Sequence, residues 1–95
     1  MTTLKARPVH PGEIIREDFF PEFGLTAGSL AKALHVPRDR IEKLVREQRA
    51  VTADTAVRLA RYFGTTPQFW MNLQTNHDLA QVDEGTVAAV VKRVA

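Results

Sequence analysis

Thr26-Ala27-Gly28-Ser29-Leu30-Ala31-Lys32-Ala33-Leu34-His35-Val36-Pro37-Arg38-Asp39-Arg40-Ile41-Glu42-Lys43-Leu44-Val45 is the stretch on which the fold of this chain turns. Its apolar residues Leu30, Leu34, Val36, Ile41 and Leu44 have the spacing of two short helices whose inward faces meet across a tight turn. Ala31 stands where the two helices cross. A methyl group fits there, whereas a larger side chain would push the pair apart. The pattern is that of a helix-turn-helix, spanning about residues 26–46. In such a unit the second helix faces outward and is able to enter a DNA major groove.

Working outward, residues 1–9 read as a flexible arm. A first helix is expected from the His10-Pro11-Gly12 turn, with Pro11 as first helical residue and Glu13 favourable in the first turn. It carries Ile14, Ile15, Phe19 and Phe20, and Pro21 is expected to stop it near Phe20. Thr26 caps the second helix, which runs to about Leu34. The third is expected to open at Pro37 and continue to about Glu47. Thr52 caps a fourth, whose Ala56, Leu59, Ala60 and Phe63 have core spacing and whose stop is Gly64. Thr66-Pro67 opens a fifth, running to roughly Val82. The fold class is all-α: a five-helix domain over residues 10–82 and a tail over residues 83–95. Val87, Val90, Val91 and Val94 in that tail suit one helical face and also suit a strand.

Composition narrows the function. The 95 residues allow one domain with a single core, and a hydrophobic share of 44% with 25% charged is ordinary for a globular protein. With no cysteine in the chain, there is no disulfide, thiolate metal site or cysteine nucleophile. Met1 to Val9 lacks the apolar core of a signal peptide and no run is long enough to span a membrane, so the expected location is cytoplasmic. His10, His35 and His77 are far apart in sequence and lack metal-ligand spacing, so no metal or cofactor is expected. Glu13, Glu17 and Asp18 have no positioned nucleophile beside them and read as a solvated face. An enzyme is not expected.

Net charge is only +2, but its distribution is uneven. Lys32, Arg38, Arg40, Lys43, Arg46, Arg49, Arg58 and Arg61 crowd the middle. Acids collect in Glu13, Glu17, Asp18 and Glu22, and again in Asp78, Asp83 and Glu84. A basic middle with acidic flanks is a footprint for a phosphate backbone, although a solvated surface has the same composition. With Ile41 at zero and 100° per residue, Leu44 and Val45 fall on the buried side of the third helix. Asp39, Lys43 and Arg46 fall opposite, flanked by Arg40 and Glu42, with Arg38 near the helix start, where recognition helices approach base edges. Arg and Lys donate to guanine, and Asp39 accepts from cytosine or holds an arginine in place. Arg40, Arg46, Arg49 and the Thr52 hydroxyl suit phosphate contacts. The competing reading is a ladder of intrahelical ion pairs, Arg38 to Glu42, Asp39 to Lys43 and Glu42 to Arg46, each contributing only ~0.2–0.5 kcal/mol.

The fifth helix has apolar residues on two sides. Phe69, Trp70, Leu73, His77 and Ala80 form the expected core side, while Met71, Thr75 and Val82 lie round the other, near Leu79. Two apolar sides call for two contacts. The second is either a sister subunit, reached through Met71, Leu79, Val82 and Val87, or the tail folded back over the stripe.

These residues resemble the lambda-repressor-like helix-turn-helix proteins. More narrowly, His10-Pro11-Gly12-Glu13-Ile14-Ile15-Arg16-Glu17 is similar to the opening of the HigA-type, or VapI-type, antitoxins. So are Ala50-Val51-Thr52-Ala53-Asp54-Thr55-Ala56, Arg58-Leu59-Ala60-Arg61, Phe63-Gly64-Thr65-Thr66-Pro67 and Phe69-Trp70-Met71-Asn72-Leu73-Gln74. The likeness spans about His10 to Leu79. It implies a homodimeric autorepressor of double-stranded operator DNA that also neutralises a cognate ribonuclease toxin, with Arg38, Asp39 and Lys43 in the base-reading places. This chain departs from the family at three points. His35 stands where a helix-ending glycine is usual, at a cost of about 1 kcal/mol. Arg46-Glu47 replaces asparagine-glycine, so the helix runs longer or ends in a strained turn. Ala27 replaces a phosphate-contacting glutamine. Two other readings compete: a stand-alone regulator with no toxin, and a protein-binding module without DNA affinity.

Overall fold

The computed structural model describes residues 7–95, so most of the arm expected over residues 1–9 lies outside the described residues. At its described end, Arg7 pairs with Glu13 at 2.9 Å. Six helices follow in order and no strand occurs among the described residues. None of these helices is long and apolar enough to cross a membrane.

The first helix, α1, covers residues 11–23 and changes pitch twice: Pro11–Ile14 is α-helical, Ile15–Phe19 is a π turn, and Phe20–Phe23 is α-helical again. His10 starts it from an extended backbone, and its ring Nδ1 accepts the Gly12 N–H at 2.9 Å. The expected stop at Phe20 is corrected here. In a regular α-turn the Pro21 ring would strike the carbonyl four residues back and leave it without a donor. The π turn widens the chain just before that point, with the Phe20 N–H donating to Ile15 O, and the helix passes through Pro21. It closes at Gly24, whose φ of 62° is left-handed.

Helix α2, Ala27–Leu34, begins in a capping box in which Thr26 and Ser29 exchange side-chain-to-backbone hydrogen bonds. Helix α3, Arg38–Val45, follows after a short turn. Pro37 is its extended N-cap rather than its first helical residue, and the helix ends two residues before the expected Glu47. Thr52 caps α4, Ala53–Phe63, which stops at left-handed Gly64, and Thr66 caps α5, Pro67–Ala80. The tail forms a further helix, α6, Glu84–Val90, capped by Asp83. That settles the choice between helix and strand. It does not fold back over α5, because Val87, Val90, Val91 and Val94 are all exposed.

The core gathers Ile15, Leu30, Leu34, Ile41, Leu44, Val51, Leu59 and Trp70, with Ala31 buried as expected at the α2–α3 crossing. Each large apolar side chain contributes about 1.5–3 kcal/mol on burial. Trp70 is fully buried and edge-on to Phe19, and its indole N–H donates to Thr65 Oγ1 at 2.7 Å. The core side of α5 differs from expectation. Trp70 and Gln74 are its buried residues, with Met71, Leu73 and His77 half-buried, whereas Phe69 and Ala80 are exposed. Met71, placed on the outer side by its angle, packs against the core.

Gln74 explains the rotation of that face. Its Oε1 accepts the buried Val51 N–H at 2.7 Å and its Nε2 donates to Asp78 at 2.9 Å, so one amide holds the loop before α4 to α5. Gln74→Leu leaves that N–H buried without an acceptor, and urea denaturation is expected to show a loss of about 1–3 kcal/mol. A variant as stable as the parent would mean that the loop satisfies Val51 by other means.

Candidate nucleic-acid interface

Helix α3 is seated from behind by Ile41, Leu44 and Val45, all buried, which turns its polar side outward. The side chains of Arg38, Asp39 and Lys43 are 71%, 65% and 51% exposed. Two of the three anticipated i to i+4 pairs form: Arg38 to Glu42 at 2.8 Å and Lys43 to Asp39 at 3.3 Å. The third does not. Arg46 donates its backbone N–H to Glu42 O, and its side chain has no ion-pair partner among the described residues. Arg38 lies alongside α2, its guanidinium carbon 3.7 Å from where a side chain at Gly28 would begin, so the glycine leaves it room.

Two of the anticipated phosphate contacts are already employed inside the fold. Arg40 reaches Asp54 on α4 at 2.9 Å, and the same carboxylate accepts Arg58 at 3.0 Å. Bonds from Arg58 and Arg40 hold the Asp54 carboxyl below its ordinary range. Arg40 thus ties α3 to α4. The Thr52 hydroxyl accepts the Thr55 N–H as the cap of α4. Arg46 and Arg49 stand exposed in the turn after α3, without ion-pair partners among the described residues.

That turn settles the alternative left by Arg46-Glu47. The helix ends in a left-handed residue, Glu47 at φ 63°, with its N–H bonded to Leu44 O and the Gln48 N–H to Lys43 O. His35 does the same for α2 at φ 58°, as anticipated. Arg58 donates to Leu34 O at 2.9 Å, and Arg16 of α1 donates to Val45 O. Neither arginine role has a signal in the sequence, because each joins residues more than twenty positions apart.

Comparisons with known proteins identify the fold and the family. Residues 15–70 match the family model described as Helix-turn-helix. The chain is 55% identical to Virulence-associated protein I of Dichelobacter nodosus over 76 residues, 80% of this chain and 70% of that one. Among solved structures it is similar to Pseudomonas aeruginosa antitoxin HigA with the higBA promoter, at 42% identity and TM-score 0.87, covering 94% of this chain and 100% of that one. It is also similar to PA4674 of Pseudomonas aeruginosa in complex with its operator DNA, at 46% identity and TM-score 0.81, covering 88% and 92%. The chain belongs to the lambda-repressor-like helix-turn-helix family, in its HigA/VapI-type branch, a family of DNA-binding regulators and antitoxins and not of enzymes.

Where α1 meets α5, the fold brings together two histidines that the sequence keeps apart. The rings of His10 and His77 meet edge-on with centroids 4.9 Å apart. Asp78 Oδ1 is 3.6 Å from His77 Nδ1, too far for a hydrogen bond. Among the described residues no group of three possible metal ligands forms. Burial, and then the neighbouring His77, push the His10 ring below the usual histidine value, against a smaller pull from Glu47 and Asp78. A pKa depressed by folding means that the folded state binds fewer protons. Its contribution is complete above the unfolded value of about 6.5 and is lost as pH falls through the lower folded value. Protonation also blocks Nδ1 as the acceptor for the Gly12 N–H. Melting temperature is therefore expected to drop between pH 7.5 and 5, and to drop less in His10→Asn, which keeps a capping acceptor that does not titrate. Equal drops in both proteins would place the acid sensitivity elsewhere.

Proposed function

We propose that this chain is an antitoxin-type autorepressor, binding its own operator as a homodimer and neutralising a cognate ribonuclease toxin in the cytoplasm. The observation that carries the DNA half is the outer face of α3. Arg38, Asp39 and Lys43 are exposed and engaged in surface pairs of ~0.2–0.5 kcal/mol, beside Arg46 and Arg49, which have no ion-pair partner among the described residues. Phosphate contacts outcompete such pairs, because binding also releases counterions. The operator complexes of the PA4674 and HigA relatives support the same reading. The toxin half rests on the HigA and VapI likeness, and a small basic protein encoded alongside would favour it over a stand-alone regulator. His35 and Glu47 keep left-handed backbone where glycine is usual, so these departures leave the motif in place and argue against a module without DNA affinity.

The division of labour follows from exposure. Arg38→Ala or Lys43→Ala is expected to cost roughly 1–3 kcal/mol on the cognate site and to relax sequence preference in gel shifts with the protein's own promoter. Arg49→Ala is expected to weaken all sequences alike and flatten the salt slope by about one unit. Arg40, held by Asp54, is expected to act mainly through the seating of α3. Unchanged specificity in the Arg38 and Lys43 variants would remove them from the base-reading role.

The dimer is proposed on the exposed stripe of Leu79, Val82 and Val87, with Met71 contributing only the edge that the core leaves open. A two-fold arrangement would set the half-site centres about 34–36 Å apart, or a multiple of that. Leu79→Asp combined with removal of residues from Gly85 onward is expected to sediment as a monomer and bind single half-sites poorly. A protein so altered that stays dimeric at micromolar concentration would move the interface, with α1 the next surface to test.

A further inference from the structure

The N-terminal half of α1 touches the last turn of α3 at backbone distance. A Cβ added at Gly12 would lie 1.8 Å from the Leu44 carbonyl oxygen, so no side chain is tolerated at that point of contact. One turn further along α1, the Arg16 guanidinium donates to the Val45 carbonyl, one of the acceptors that α3 leaves without a partner of its own. The same group lies 3.3 Å from Glu47 Oε2 through its terminal nitrogens, while its Nε donates to the neighbouring Glu17 at 2.9 Å along α1. Glu47 is the residue in left-handed backbone, where a glycine would sit without strain.

We propose that Arg16 and Glu47 are positioning residues for DNA recognition, a pair that locks the end of α3 against α1 and so fixes how Arg38 and Lys43 are presented. This rests on the DNA-binding reading above and names residues that touch no base. Base readout requires side chains held within about 0.5 Å and 10–20° of the productive geometry. Arg38 and Lys43 ride on α3, so a rotation at Val45 is transmitted to both. The planar guanidinium fork holds a carbonyl and a carboxylate at once and fixes their relative direction, which a flexible ammonium does not. A glutamate in a strained conformation is then explained by what its carboxylate holds.

The test uses the full chain and two duplexes of equal length, its own promoter segment and a scrambled one, and reads the ratio of the two affinities. Arg16→Ala and Glu47→Gly are each expected to lower that ratio about three- to tenfold, with the double variant no lower than the worse single one. Arg16→Lys is expected to recover part of it. The melting temperature of Glu47→Gly is expected to equal or exceed the parent's, because glycine relieves the strain. Specificity falling while stability holds is a signature that a merely structural role would not give. If the parent discriminates and Glu47→Gly discriminates equally well, the positioning role is wrong and DNA binding stands. A parent that shifts neither duplex would overturn the DNA reading and the proposal with it.

Discussion

A helix of eight residues has almost no interior. Its first four N–H and last four C=O groups lack partners within the helix, and α2 and α3 are both of that length. Such segments do not hold together alone in water. The structure therefore depends on what satisfies helix ends. Thr26, Thr52, Thr66 and Asp83 accept N–H groups at four starts, and His10 does so at a fifth. Left-handed residues at Gly24, His35, Glu47 and Gly64 close four ends. Each cap contributes about 1 kcal/mol, a large share of the 5–15 kcal/mol typical of a folded domain. With the ends settled, short helices become rigid enough for their apolar faces to converge on Trp70.

Caps are also what made the fold legible. Threonines before α2, α4 and α5 and glycines after α1 and α4 are local signals, and the apolar spacing of residues 26–46 is a local pattern. Where the structure departs from these signals, the cause is a local geometry that composition does not mark, or a long-range partner. Pro21 forbids a regular α-turn, but the π turn that accommodates it leaves no composition of its own. Gln74 is polar, and only the distant Val51 N–H makes it a core residue. His10 and His77 meet because α1 and α5, at opposite ends of the domain, pack against each other. The tail is ambiguous because valine suits helix and strand alike, and its valines are exposed, with no burial pattern to separate the two.

The candidate site was legible in its residue types and less so in their allegiance. Periodicity identifies the outward face of α3, yet it cannot distinguish a cation that faces solvent from one that reaches a neighbouring helix. Arg40 and Arg38 sit on the same turn. Arg40 is drawn to Asp54 in the first turn of α4, and Arg38 stays outside over Gly28, paired among the described residues only with Glu42 along its own helix. The first is a strut and the second is available. A surface pair is screened and weak, so availability here is a matter of which competing partner is stronger.

The same logic accounts for the two departures from glycine. A left-handed backbone costs about 1 kcal/mol at His35 and about 1–2 kcal/mol at Glu47. At both ends an arginine from another helix donates to the final carbonyl of the strained turn: Arg58 of α4 to Leu34 O, and Arg16 of α1 to Val45 O. A hydrogen bond from a charged donor contributes about 1.5–3 kcal/mol, enough to offset the strain. Glycine closes a helix by lowering the local cost. Here the closure is tertiary, and it makes the two helices of the motif conditional on the helices packed around them. Strain at the turn and the seating of α3 are then one feature, because the arginine that offsets the first also performs the second.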